Sequence, residues 1–156
     1  MLHVMIDLYG CSSALLASEA FLRQVLDRYP DEIGMQKVSP VFLKDIKTSS
    51  PLDDGISGFV IIATSHVSLH AWPCYGMVNI DIFSCEEFST EKVVRFAMRM
   101  FQAKDVEVHA VERATRSPRS ATSRVSSREV SIRIPSTNEV ITSTFGQVLG
   151  NEVYEA

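Results

Sequence analysis

Seven side chains able to do chemistry fall within 29 residues: Ser57, Ser65, His66, Ser68, His70, Cys74 and Cys85. Polar groups in so apolar a stretch need partners or a purpose. Three purposes fit the types. Zinc accepts imidazole and thiolate, and His66, His70, Cys74 and Cys85 supply both. On a strand, however, residues four apart stand about 13 Å from each other, so His66 and His70 reach one ion only across a bulge. Taken singly, His66 and Ser68 also fit a hydrogen-bonded place in a core, which explains the whole set poorly. The third purpose is nucleophilic catalysis: a serine hydroxyl attacks a carbonyl, a nearby imidazole moves the proton, and a cysteine passes another. No Gly-x-Ser-x-Gly elbow is present, which argues against an ordinary hydrolase. Spacing alone leaves the three open.

The elements that must position these groups can be read from periodicity. Leu2–Leu8 reads as a first strand ended by Gly10. Ser12 or Ser13 can cap a helix beginning near Ala14, whose apolar face is Leu15, Leu16, Ala20, Phe21, Val25 and Leu26 and which stops at Tyr29, before Pro30. Val38–Leu43 is a second strand candidate interrupted at Pro40, and Ser49–Gly55 has the composition of a loop. Phe59–Ala63 is a continuous apolar run, read as a buried strand. Then Val67, Leu69 and Ala71 alternate with His66, Ser68 and His70, which puts two imidazoles and a hydroxyl on one face. Val78, Ile80 and Ile82 mark another strand, ending at Cys85. Thr90 can cap a helix with Val93, Val94, Ala97, Met98 and Phe101 on its apolar face, and Val106, Val108 and Ala110 form a further strand. The order predicts an α+β fold, a two-layer sandwich of an antiparallel sheet with helices on one face.

Composition sets the bounds. A chain of 156 residues with 46% hydrophobic and 22% charged side chains is globular rather than disordered. No apolar run reaches the roughly 18 residues of a membrane span, and the first residues lack the basic start of a secretory signal. Three cysteines without framework spacing suit free thiols in the cytoplasm. The net charge of -4 gives no general reason to bind nucleic acid. Charge shifts along the chain: residues 1–112 carry 15 acidic and 9 basic side chains, residues 113–156 carry 4 and 6. Five of the ten arginines lie between Arg113 and Arg128 among serines and threonines. The shift divides the chain into a domain over 1–115 and an extension over 116–156 that opens with a Ser/Arg-rich connector. A solvated connector accounts for that run better than a phosphate- or RNA-binding arm. Beyond it, Val130–Ile134 and Val140–Phe145 are strand candidates.

One long ordered motif carries a resemblance. Gly55-Ile56-Ser57-Gly58-Phe59-Val60-Ile61-Ile62-Ala63-Thr64-Ser65-His66-Val67-Ser68-Leu69-His70-Ala71-Trp72-Pro73, followed by Asn79-Ile80-Asp81-Ile82-Phe83-Ser84-Cys85, resembles the prokaryotic S-adenosylmethionine decarboxylase family, as does the opening Leu2–Cys11. The likeness covers roughly residues 2–114. It implies a proenzyme that cuts itself between Thr64 and Ser65. The Ser65 hydroxyl attacks the Thr64 carbonyl, the amide becomes an ester, and elimination and hydrolysis leave a pyruvoyl group made from Ser65. That ketone is the family's cofactor, forming a Schiff base with the substrate amine and accepting the electrons released with CO2. The resemblance further implies that Ser57 and His70 assist the cut, that Cys85 donates the proton in decarboxylation, and that two processed protomers form a homodimer with active sites at their interface. The partner is otherwise a small amino-acid-type substrate, in polyamine synthesis, and no metal is expected.

Three positions depart from the family pattern. Thr64 stands where a Glu usually precedes the cleaved serine. Cys74 stands where a Glu grips the ribose hydroxyls of the nucleoside, and a thiol grips a diol poorly. Pro51 stands where a Phe stacks on adenine. The processing residues are kept while two nucleoside contacts are lost. S-adenosylmethionine is the family's default substrate; arginine or ornithine, used by known relatives, is the alternative. A non-processing regulatory paralogue is a third reading.

Overall fold

A computed structural model describes residues 1–63 and 65–114, and the backbone of one further strand, Glu129–Pro135. Seven strands form one antiparallel sheet: β1 (Leu2–Tyr9), β2 (Phe42–Ile46), β3 (Gly55–Ile62), β4 (Ser65–Trp72), β5 (Met77–Ser84), β6 (Asp105–Glu112) and β7 (Glu129–Pro135), in the order β2-β3-β4-β5-β1-β6-β7. Strand alternation makes two unlike faces. On one, Val4, Ile6, Leu8, Val60, Ile62, Val67, Leu69, Ile80, Ile82, Val106 and Val108 are buried. Two helices, α2 (Glu19–Glu32) and α3 (Thr90–Phe101), pack on it with Leu22, Val25, Leu26, Val93, Ala97 and Phe101. The opposite face carries Ser57, His66, Ser68, His70, Trp72, Asn79 and Asp81 and has no covering layer among the described residues. This is the α+β sandwich with helices on one face.

Several local expectations need correction. The first helix is two: a single turn α1 (Ser13–Leu16), then α2, whose Ser18 side chain accepts from Phe21 N–H at 3.2 Å. Leu15, Leu16, Ala20 and Phe21 keep helical spacing across this break, so periodicity hides it. Pro30 lies inside the last turn of α2 rather than beyond its end. The second strand begins at Phe42, past Pro40, not at Val38; Val38 contributes only a bond from its N–H to Ile61 O. The run Phe59–Ala63 is buried on one face only, since Phe59 and Ile61 are each 42% exposed on the open side. Ser89 caps α3, accepting from Lys92 N–H, and Thr90 is the first helical residue. The candidate Val130–Ile134 falls within β7, while Val140–Phe145 and the connector after residue 114 lie outside the described residues. No helix among the described residues is long and apolar enough to cross a membrane.

Candidate active site

The β3–β4 hairpin register sets Ser57 directly opposite His70 on the open face. Their side chains meet in a short hydrogen bond between Ser57 Oγ and His70 Nδ1. A ring with Nδ1 unprotonated accepts the hydroxyl proton there and carries its own proton on Nε2. Burial disfavours the imidazolium and lowers the His70 pKa from 6.5, so the neutral ring prevails at neutral pH. Nε2 is buried with no hydrogen-bond partner among the described residues. Gly55 makes room beside it: a Cβ there would lie 2.3 Å from Ala71 O and 3.0 Å from His70 Nε2. Trp72 closes the other side, its ring centroid 4.1 Å from that of His70. Trp72 is fixed in turn, since its indole N–H donates to Asn79 Oδ1 at 2.8 Å and Asn79 donates to Asp7 at 2.7 Å.

Ser65 and Cys85 lie on neighbouring strand ends at the other end of the hairpin. Ser65 opens β4, opposite Ser84 at the end of β5, and Cys85 follows as a half-buried free thiol. The buried Ser84 accepts from Glu86 N–H at 2.9 Å, shaping the turn that presents Cys85. The Ser65 hydroxyl lies 3.3 Å from Nδ1 of the exposed His66. Thr64 lies outside the described residues. Ser68 shares the open face of β4 with His66 and His70.

The structure therefore divides these residues between two ends of the hairpin rather than gathering them in one cluster. Five residues of extended β4 separate Ser65 from His70, about 16 Å at ~3.3 Å per residue. Cys74 belongs to neither group. It is exposed in the turn from β4 to β5, its Sγ 3.5 Å from Pro51 O, so two of the three positions that depart from the family pattern touch each other. Beside them Tyr75 donates from its hydroxyl to Asp53 at 3.4 Å. His66, His70, Cys74 and Cys85 form no metal-sized group; among the described residues the one such set is Asp7, Glu107 and His109, with ligand atoms within 4.8 Å of one another. Trp72, Asn79 and Asp7 were not singled out in the sequence, although Asn79 and Asp81 alternate with the buried residues of β5 and so announce a polar face.

The sequence profile of S-adenosylmethionine decarboxylase matches residues 2–114. The chain belongs to that family. Membership makes it an enzyme of the decarboxylase, or carboxy-lyase, type. The S-adenosylmethionine decarboxylase proenzyme of Archaeoglobus fulgidus is 35% identical over 112 residues, 71% of this chain and 95% of the relative. The proenzyme of Moorella thermoacetica is 31% identical over 117 residues, 74% and 89% of the two chains. A crystal structure of the Trypanosoma brucei AdoMetDC-delta26 monomer aligns with a TM-score of 0.46 at 16% identity, over 70% of this chain; the chain spans 45% of that one.

Proposed function

We propose that this family member is a self-cleaving, pyruvoyl-dependent decarboxylase of polyamine synthesis, acting in the cytoplasm on S-adenosylmethionine. The observation that carries the reading is the Ser57–His70 pair on the open face, together with Ser65 paired to Ser84, the residue before Cys85, at the far end of the hairpin. In processing, Ser65 Oγ attacks the Thr64 carbonyl carbon and the Thr64–Ser65 C–N bond gives way to an ester. A base then removes the Ser65 Cα proton, the Cβ–Oγ bond breaks, and Thr64 leaves as a carboxylate. Water hydrolyses the resulting enamine-imine, releasing ammonia and leaving the pyruvoyl end. His70, held neutral by burial, is the base, and Ser57 assists through the hydrogen bond it shares with His70 Nδ1. The residues fit the cofactor: Ser65 at the first position of a strand becomes a free chain start without disturbing the ladder, and Cys85 follows Ser84, the partner of Ser65 across the ladder. The pyruvoyl group supplies a carbonyl electron sink for decarboxylation. Cys85 returns the proton to the carbon that lost CO2.

About 16 Å is far beyond the ~3 Å of a hydrogen bond, so His70 cannot serve Ser65 of its own chain. We assign each active site to two protomers of a homodimer. A two-fold axis running between facing open sheets, across β4 near its middle, lays His70 and Ser57 of one protomer over the strand end where β4 begins at Ser65 and the turn that holds Cys85 in its partner. The open face suits such burial. Phe42 and Phe59 stack on it at 4.9 Å and are 46% and 42% exposed, with Ile61 alongside.

Cys74 and Pro51, in contact at the expected nucleoside end, favour a second substrate reading, arginine or ornithine, on the same chemistry. Measuring CO2 release from S-adenosylmethionine, arginine and ornithine side by side tests the assignment. Release from S-adenosylmethionine is expected; release from a basic amino acid alone moves the substrate and keeps the chemistry, and none from any of the three refutes the enzyme reading.

A further inference from the structure

We propose that Asp53 is the specificity-determining carboxylate that accepts hydrogen bonds from the distal end of the substrate, with Tyr75 holding it in position. The inference rests on the decarboxylase reading above and concerns the part of the site that the chemistry of Ser65 leaves undefined. A substrate whose amino-acid end reacts beside His70 must extend its remaining atoms over neighbouring surface. Outward from His70, the structure offers Trp72 with its ring 4.1 Å away, then Tyr75 at 6.3 Å from Trp72, then Asp53 at the Tyr75 hydroxyl. The turn Pro73–Gly76 and the 3-10 turn Pro51–Asp53 close on each other through Cys74 and Pro51. Asp53 is thus brought, through Tyr75, beside the β4–β5 turn that carries Cys74, the position where the resemblance implies a carboxylate.

The neighbouring acid is already committed: Asp54 accepts from Thr48 N–H at 2.8 Å and pairs with Lys47 at 3.5 Å. Tyr75 engages Oδ1 of Asp53, and among the described residues no hydrogen bond engages Oδ2. A ribose diol, a guanidinium and an ammonium all offer N–H or O–H donors, and a carboxylate makes charge-assisted bonds with each. The half-exposed Tyr75 ring gives a flat or cationic group a surface to lie on.

The test uses Trp72, the one tryptophan of the chain, as a reporter beside the site. Its emission is titrated with S-adenosylmethionine, L-arginine and L-ornithine separately, in the wild type, in Asp53→Asn and in Asp53→Asn combined with Cys74→Glu. The ligand that binds the wild type should bind Asp53→Asn about tenfold or more weakly. The double variant, with a carboxylate restored on the adjoining turn, should recover most of that loss. Asp53→Asn should cleave itself at the wild-type rate, showing that its fold is intact. Equal binding by Asp53→Asn, no response of Trp72 to any of the three, or joint loss of binding and self-cleavage would overturn the assignment. The titration also reads an uncleaved chain, so failure of self-cleavage in the wild type counts against the decarboxylase reading without deciding the role of Asp53.

Discussion

Two inactive chains should repair each other. Ser65→Ala removes the attacking hydroxyl, and His70→Ala removes the base; each variant alone should stay uncut. In one chain about 16 Å of strand lies between these positions, five residues at ~3.3 Å each, while proton transfer needs contact near 3 Å. If His70 serves the partner's Ser65, a mixed dimer contains one site with both groups intact and one site with neither. Random pairing of equal amounts puts about half of each kind of chain into mixed dimers, as the symmetry of an isologous pair requires. About half of the His70→Ala chains, which retain Ser65, should therefore be cleaved, and none of the Ser65→Ala chains. The two variants are co-expressed with different tags and the fragments counted on a denaturing gel. Ser57→Ala paired with His70→Ala, both lesions in the same half-site, should give no rescue. Mixed dimers in which the His70→Ala chain stays whole, beside a wild type that cuts, would refute the shared site.

Cys85→Ala should leave most of the self-cleavage intact and lower kcat for decarboxylation by a factor of about a hundred, the ordinary worth of a positioned proton donor; single-turnover CO2 release on the cleaved variant measures it, and unchanged turnover removes Cys85 from the mechanism. Processing should also show an acid-shifted pH profile. Burial lowers the His70 pKa below 6.5, so the neutral, proton-accepting ring persists as pH falls through 6.5 and is lost only when pH passes the lower folded value. Rates of first-order cleavage in acid-quenched samples should stay level through pH 6.5 before dropping, and a midpoint above 6.5 would contradict the buried neutral base.

Much of this architecture was legible in the chain. The alternation of His66, Ser68 and His70 with Val67, Leu69 and Ala71 places the polar groups on one face of β4, where the structure has them. What alternation cannot reveal is which face of a doubly apolar strand is covered. Phe59 and Ile61 look like core residues by type but lie on the open side, because that corner of the sheet is itself apolar. The break at Ala17 and Ser18 was hidden by apolar spacing that runs on across it. The candidate site shows the same limit. Ser65 and His70 are near in sequence, and nearness reads as contact, yet an extended chain turns five residues into a long separation. Ser57 and His70, thirteen apart, touch because a hairpin folds them together. The approach of Asp53 to Tyr75 depends on how two turns close and left no trace in periodicity.

The most direct test of the account is the intact mass of the purified protein. Self-cleavage between Thr64 and Ser65 should divide the 156 residues into chains of 64 and 92, the longer one beginning in a pyruvoyl group and closed to stepwise N-terminal sequencing. Ser65→Ala should remain one chain under the same conditions. A wild-type protein that stays a single chain of 17.4 kDa after long incubation would contradict the central claim and leave the non-processing, regulatory reading in its place.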